Sequence, residues 1–169
     1  GAIEKGKSDD NNSVENIKTG KMLKLPNFYG LWICYIIGTL IGLMAIAITS
    51  PVAEEIIKLK PGRAALMLSL FSIFNGIGRP IFGGLTDKLK PRKTALISFS
   101  LIIAASLLML FNQAGNPIIY FISFALFWLN LGGWLAIAPA ATAIFFGSKN
   151  YSKNYGILFT AYGVGAVIG

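Results

Sequence analysis

Residues 69–93 read SLFSIFNGIGRPIFGGLTDKLKPRK, and the fold turns on how that stretch is taken. Up to Thr86 its polar side chains are few: Ser69, Ser72, Asn75 and the single cation Arg79. Then Asp87, Lys88, Lys90, Arg92 and Lys93 follow almost at once. A helix on the surface of a soluble domain spreads its charge along one polar face. This segment instead carries a single charge over its length and concentrates the others just past its end. That is how a helix crosses a hydrocarbon layer and emerges into water.

The rest of the chain agrees. Of 169 residues, 54% are hydrophobic and 13% charged, about half the charged share usual in a soluble domain. Windows such as FYGLWICYIIGTLIGLMAIAITS (28–50) and TALISFSLIIAASLLMLF (94–111) carry no charge at all. About 20 such residues are long enough to cross roughly 30 Å of hydrocarbon, so the chain reads as an all-α membrane protein with several spans. There is no histidine and one cysteine, Cys34. No intrachain disulfide, imidazole metal site or histidine proton relay can be built, and no acid falls within an apolar run. No span carries a base, metal cluster or activated nucleophile, so nothing points to an enzyme or a cofactor.

Four complete spans are expected near 28–50, 64–86, 94–112 and 118–146, with a fifth starting near 155 and truncated at 169. The connectors alternate sides. One side collects residues 1–27, 87–93 and 147–154, with eleven cations from Lys5 to Lys153; the other holds Lys58, Lys60 and Arg63. Cations accumulate on the cytoplasmic side of membrane proteins, which makes residues 1–27 a cytoplasmic segment. The net charge of +8 then follows from topology rather than from a nucleic-acid partner, and it also suits anionic lipid headgroups. Gly38 and Gly42 share a face of the first span, where close helix packing is the favoured reading. Gly132, Gly133 and Pro139 suggest a bend or break in the fourth span, and Pro80 a bend beside Arg79.

Arg79 is the residue that needs explaining. A cation at that depth costs from about 2.5 to over 10 kcal/mol, and such residues usually face protein or a wet cavity on a substrate path. Ser69, Ser72, Asn75 and Arg79 are spaced 3, 3 and 4 apart, one face of a helix. A guanidinium fork matches a carboxylate in two-point geometry, which suggests a small organic anion with Asn75 adding a neutral hydrogen bond. A snorkelling arginine and a salt bridge to an acid elsewhere remain open on these features.

GGLTDKLKPRK (83–93) resembles the cytoplasmic loop motif of the major facilitator superfamily: glycine, three residues, an acid, a base, any residue, glycine, any residue, two bases. Gly83, Asp87, Lys88, Arg92 and Lys93 match, and Lys90 stands where the second glycine is expected. Within that superfamily, GTLIGLM (38–44), FNGIGRPIFGGLTDK (74–88) and PAATAIFFGSKNYSKNYGILFTAYGVGAVIG (139–169) are similar to the oxalate/formate antiporter family, related to monocarboxylate carriers. The resemblance covers nearly everything after residue 27. It implies a partial six-helix half, the C-terminal one, with residues 1–27 as the central loop and an N-terminal half as its missing partner.

It further implies that Arg79 binds the substrate carboxylate. Oxalate-selective members carry a lysine where FTAYG places Tyr162. One cation and a phenol suit a monoanion such as formate, pyruvate or lactate better than oxalate. Asn75 holds the place where monocarboxylate carriers often have an acid. Trp134 and Phe159 are expected to wall the anion, with Tyr35 a weaker candidate; Asn130 and Ser72 line its path. Asp87, Lys88, Arg92 and Lys93, with Gly83, would hold a cytoplasmic gate. The expected activity is secondary transport of small carboxylates by alternating access, in the cell membrane. A carrier of a sugar, drug or amino acid, or a receptor that moves nothing, are the alternatives.

Overall fold

The computed structural model describes residues 16–169. The expected central loop lies outside the described residues over positions 1–15, with Lys5 and Lys7. All regular elements among the described residues are helical. A single turn, α1 (Thr19–Met22), precedes α2 (Pro26–Pro51), which runs on into a π turn, Val52–Ile56. Then come α3 (Pro61–Leu110), α4 (Pro117–Phe146), α5 (Tyr151–Leu158) and α6 (Thr160–Ile168). Prolines at the first helical position open α2, α3 and α4, where no amide hydrogen is needed and φ is already helical. Asn116 caps α4 by accepting the Ile118 amide at 2.8 Å.

Three of these helices are long and apolar enough to cross a membrane. The longest, α3, is two arms in one. Its arms meet at Lys90, the one residue inside it with non-helical dihedral angles (φ 67°, ψ 156°). The basic connector expected over 87–93 is therefore helical on both sides of a one-residue corner. Pro91 explains ψ, since the residue before a proline is driven to extended values. The arms fold back on each other along α4. Phe71 meets Tyr120 and Phe124 in the same cluster as Ile102 and Ala105. Phe82 lies over Gly133 in a second cluster that also holds Trp134, whose ring centroid is 5.3 Å from that of Phe99.

Between membrane helices, lipid is as apolar as leucine, so contact depends on close van der Waals fit and small residues. The glycines serve that purpose. A Cβ on Gly38 would strike the Trp134 indole, and one on Gly42 would come 2.6 Å from Leu131 Cβ. Side chains at Gly132 and Gly78 would strike the backbone carbonyls of Asn75 and Leu129. Of the bend or break expected at Gly132, Gly133 and Pro139, the break does not occur. The helix α4 is continuous, and its glycines let α3 approach. Pro80 likewise leaves α3 helical.

The described connectors gather at two ends. At one, Ile17 N donates to Phe146 O (2.9 Å) and Lys149 N to Asn16 Oδ1 (3.0 Å), while Asn27, Arg92 and Phe145 line a common groove. At the other, the Tyr120 hydroxyl donates to Thr49 O (2.9 Å) and Gly115 sits against Ile56 O.

Candidate functional site

The outward side of the first α3 arm is of two kinds. Leu66, Leu70, Ile73, Ile77 and Ile81 are exposed and recur every three or four residues, which makes one apolar stripe. Ser72, Gly76 and Arg79 are also exposed, and half-buried Gly83 continues them. They recur at spacings of 4, 3 and 4 on a different face. The apolar stripe suits lipid; the other is narrow, small and polar. Asn75 lies at its inner edge, half-buried, because its carbonyl abuts Gly132 of α4.

Donors on this face are few. The Ser72 hydroxyl donates to Ser69 O at 2.7 Å, which leaves it only acceptor capacity. Arg79 and the Asn75 amide take part in no hydrogen bond, ion pair or ring contact among the described residues. The guanidinium, with five donors, is thus available to an oxyanion. Asp87, Lys88, Arg92 and Lys93 are exposed around the Lys90 corner, and a Cβ at Gly83 would make an ordinary van der Waals contact with Ala136.

The aromatic candidates assemble elsewhere. Tyr151, Tyr155, Phe159 and Tyr162 form a column up α5 and α6, with successive ring centroids 5.7, 5.7 and 5.3 Å apart. Its upper rings lie against Tyr35 of α2, 6.3 Å from Phe159 and 6.5 Å from Tyr162. Tyr35 is fully buried and stacks at 6.2 Å on Trp134. It is the hub of this cluster, although as a single tyrosine in an apolar span it gives little sign of that in sequence. The recurrence of Tyr151, Tyr155, Phe159 and Tyr162 at spacings of 4, 4 and 3 was the available signal for the column.

Two candidates turn away from Arg79. Trp134 follows Gly132 by two residues, about 200° around the helix axis, so it points away from the arm that carries Arg79. It is buried between Gly38 and Phe99. Asn130 accepts from Ser98 Oγ (2.7 Å) and donates to Leu126 O (2.8 Å); its amide joins α4 to the second α3 arm. No contact joins Arg79 to Trp134, Asn130, Phe159 or Tyr162. Behind Trp134 an apolar groove of about 450 Å³ opens between α2, α4 and the second α3 arm, with Arg92 on its lining.

Long apolar helices packed through glycines, with one polar, cation-bearing stripe distinct from the apolar one, define an integral membrane protein. The comparisons with known proteins specify the family. The model of the Major Facilitator Superfamily matches residues 4–169, and the chain belongs to that superfamily. It is 27% identical over 157 residues to the oxalate:formate antiporter of Oxalobacter formigenes, covering 92% of this chain and 37% of that protein. It is 27% identical over 145 residues to the uncharacterized MFS-type transporter YhjX of Escherichia coli (strain K12), covering 86% and 36%. A third relative, the uncharacterized 38 kDa protein in 23S RNA operon of Thermoproteus tenax, is 29% identical over 156 residues, covering 92% and 39%. The chain thus spans between a third and two fifths of the length of these relatives. No solved structure matches it significantly.

Proposed function

We propose that the chain is part of a secondary carrier for small monocarboxylates, with Arg79 as the group that holds the anion. The observation that carries this reading is the position of Arg79 on the polar stripe of α3, clear of the lipid-suited stripe and without an acid beside it. A cation kept unpaired in such a place is best explained by an anion that comes and goes. The Oxalobacter relative, named an oxalate:formate antiporter, points to the same chemistry. With Tyr162 on α6 and a single cation, the charge balance favours a monoanion over a dianion.

In this reading Asn75 donates one hydrogen bond beside the guanidinium, and Phe159 and Tyr162 bound the far side of the path. Asn130 and Trp134 act in the core instead. The cation-rich end, where residues 16–24 meet 147–154, faces the cytoplasm of the cell membrane. The corner from Asp87 to Lys93 forms and releases ion pairs with another part of the carrier as access alternates.

The test is radiolabelled formate and pyruvate exchange in proteoliposomes containing the complete carrier. Arg79→Gln is expected to lower exchange at least 100-fold. Arg79→Lys should lower it nearly as far, because a point charge cannot reproduce the two-point fork. Unchanged exchange in both variants removes Arg79 from the mechanism.

A further inference from the structure

We propose that the end of the bundle opposite residues 16–24 and 147–154 holds an anionic phospholipid, with its phosphate on Arg63 and part of one acyl chain in a groove between α3 and α4. This site is separate from the path assigned to Arg79 and does not depend on what is carried.

The cation is placed for a headgroup. Arg63 is the third residue of α3 and is exposed. It heads the stripe suited to lipid: Leu66, Leu70, Ile73, Ile77 and Ile81 follow it at spacings of 3, 4, 3, 4 and 4, which is one face of a helix. Arg79 lies on a different face. A cation at the end of a lipid-facing stripe sits where hydrocarbon gives way to headgroups. Arg63 takes part in no side-chain hydrogen bond, ion pair or ring contact among the described residues, and Glu54 and Glu55, the acids nearest in sequence, are not paired with it. Its planar fork can bind two phosphate oxygens at once. Exposed Lys58 and Lys60 precede it and draw anionic lipid toward the same end.

The groove beside it is placed for a chain. About 340 Å³ opens between Leu59 and Met67 on one side and Pro117, Ile118, Tyr120 and Phe121 on the other. These walls leave an occupant little to hydrogen-bond with. The Tyr120 hydroxyl already donates to Thr49 O at 2.9 Å, the Ile118 amide donates to Asn116 Oδ1 at 2.8 Å, and Pro117 has no amide hydrogen. The nearby asparagines satisfy each other: Asn112 Nδ2 donates to Asn116 O at 3.0 Å, and Asn116 N to Asn112 Oδ1 at 2.7 Å. With Arg63 as the available donor on an otherwise apolar lining, the fitting occupant is apolar along its length and anionic at one end. A helix is about 10–12 Å across with a 5.4 Å pitch, so one turn fills roughly 400–600 Å³. The groove holds less than that and suits a single flexible chain.

The experiment uses the complete carrier in nanodiscs of mixed phosphatidylcholine and phosphatidylglycerol, with native mass spectrometry of the lipid that stays bound. Phosphatidylglycerol should be retained about fivefold above its share of the bilayer, the preference that one cation at an anionic surface supports. Arg63→Gln should bring retention down to that share. Arg63→Lys should keep most of the preference, because lysine also binds phosphate as a point charge. Met67→Trp, which fills the groove and leaves the cation, should lower retention of both lipids. Lys149→Gln, at the opposite end, should change nothing. Equal retention of the two lipids by the wild-type carrier overturns the proposal and leaves Arg63 a simple interfacial anchor. An unaltered preference in Arg63→Gln, an equal loss in Lys149→Gln, or unchanged retention in Met67→Trp also overturns it. So does release of the lipid by inorganic phosphate alone, which would mean that the groove contributes no hold on the chain.

Discussion

Lys90→Gly should stabilise this protein, which is unusual for a glycine introduced at a helix junction. Lys90 sits at φ 67° and ψ 156°, a region entered almost exclusively by glycine. A non-glycine residue held there stores about 1–3 kcal/mol. Replacing it with glycine releases that strain and adds backbone freedom to the unfolded chain, a loss of about 0.5–1 kcal/mol. The Lys90 carbonyl, which accepts from Thr94 Oγ1 at 3.2 Å, is retained. The net expectation is a gain of about 0.5–2 kcal/mol, or a few degrees in Tm. Lys90→Ala is the necessary companion: it removes the same charge and long side chain but keeps a Cβ, so the strain persists and no gain follows. Thermal unfolding in detergent, followed by a thiol-reactive dye on half-buried Cys34, reads both. Equal midpoints for the glycine and alanine variants, or a lower midpoint for glycine, would show that the corner is not strained and that the charge of Lys90 governs its behaviour. The same geometry explains why the superfamily loop motif expects glycine at this position.

Gly132→Ala should destabilise by about 1–3 kcal/mol, toward the upper end because the new methyl meets the Asn75 carbonyl, which cannot rotate away. Gly84→Ala, with nothing within 4 Å of the added carbon, should be neutral or slightly stabilising through helix propensity; the two midpoints measured by the same dye assay check the pair. Tyr162→Lys should shift exchange toward a dianion such as oxalate, at the expense of formate. Competition of both anions against labelled formate reads the shift, and an unaltered ratio removes Tyr162 from the selectivity of the path.

Much of the architecture could be read along the chain because a bilayer simplifies the problem. A segment without charge must cross, and cations must collect at one end, so spans and connectors are legible from composition alone. The helical stripe of Ser72, Asn75 and Arg79 was legible for the same reason: periodicity places residues on a face whatever packs around them. Trp134 and Asn130 were not legible in that way. Both are polar-tipped residues at mid-depth in an apolar helix, and period alone cannot say which of several neighbours each one meets. Gly132 decides it by accepting α3 on one side of α4, which turns Trp134 toward α2 and Asn130 toward Ser98.

Local sequence was therefore enough to establish a helical membrane protein and the helix face that bears Arg79, because hydropathy and helical period are short-range properties. Only the tertiary structure decided that seven basic-loop residues reduce to a corner at Lys90, that paired glycines in α4 are contacts rather than a break, and that residues 16–19 and Asn154 lock together across more than 130 positions. Those outcomes depend on which surfaces approach closely enough to exclude everything but a hydrogen atom, and such distances exist only after the helices have packed.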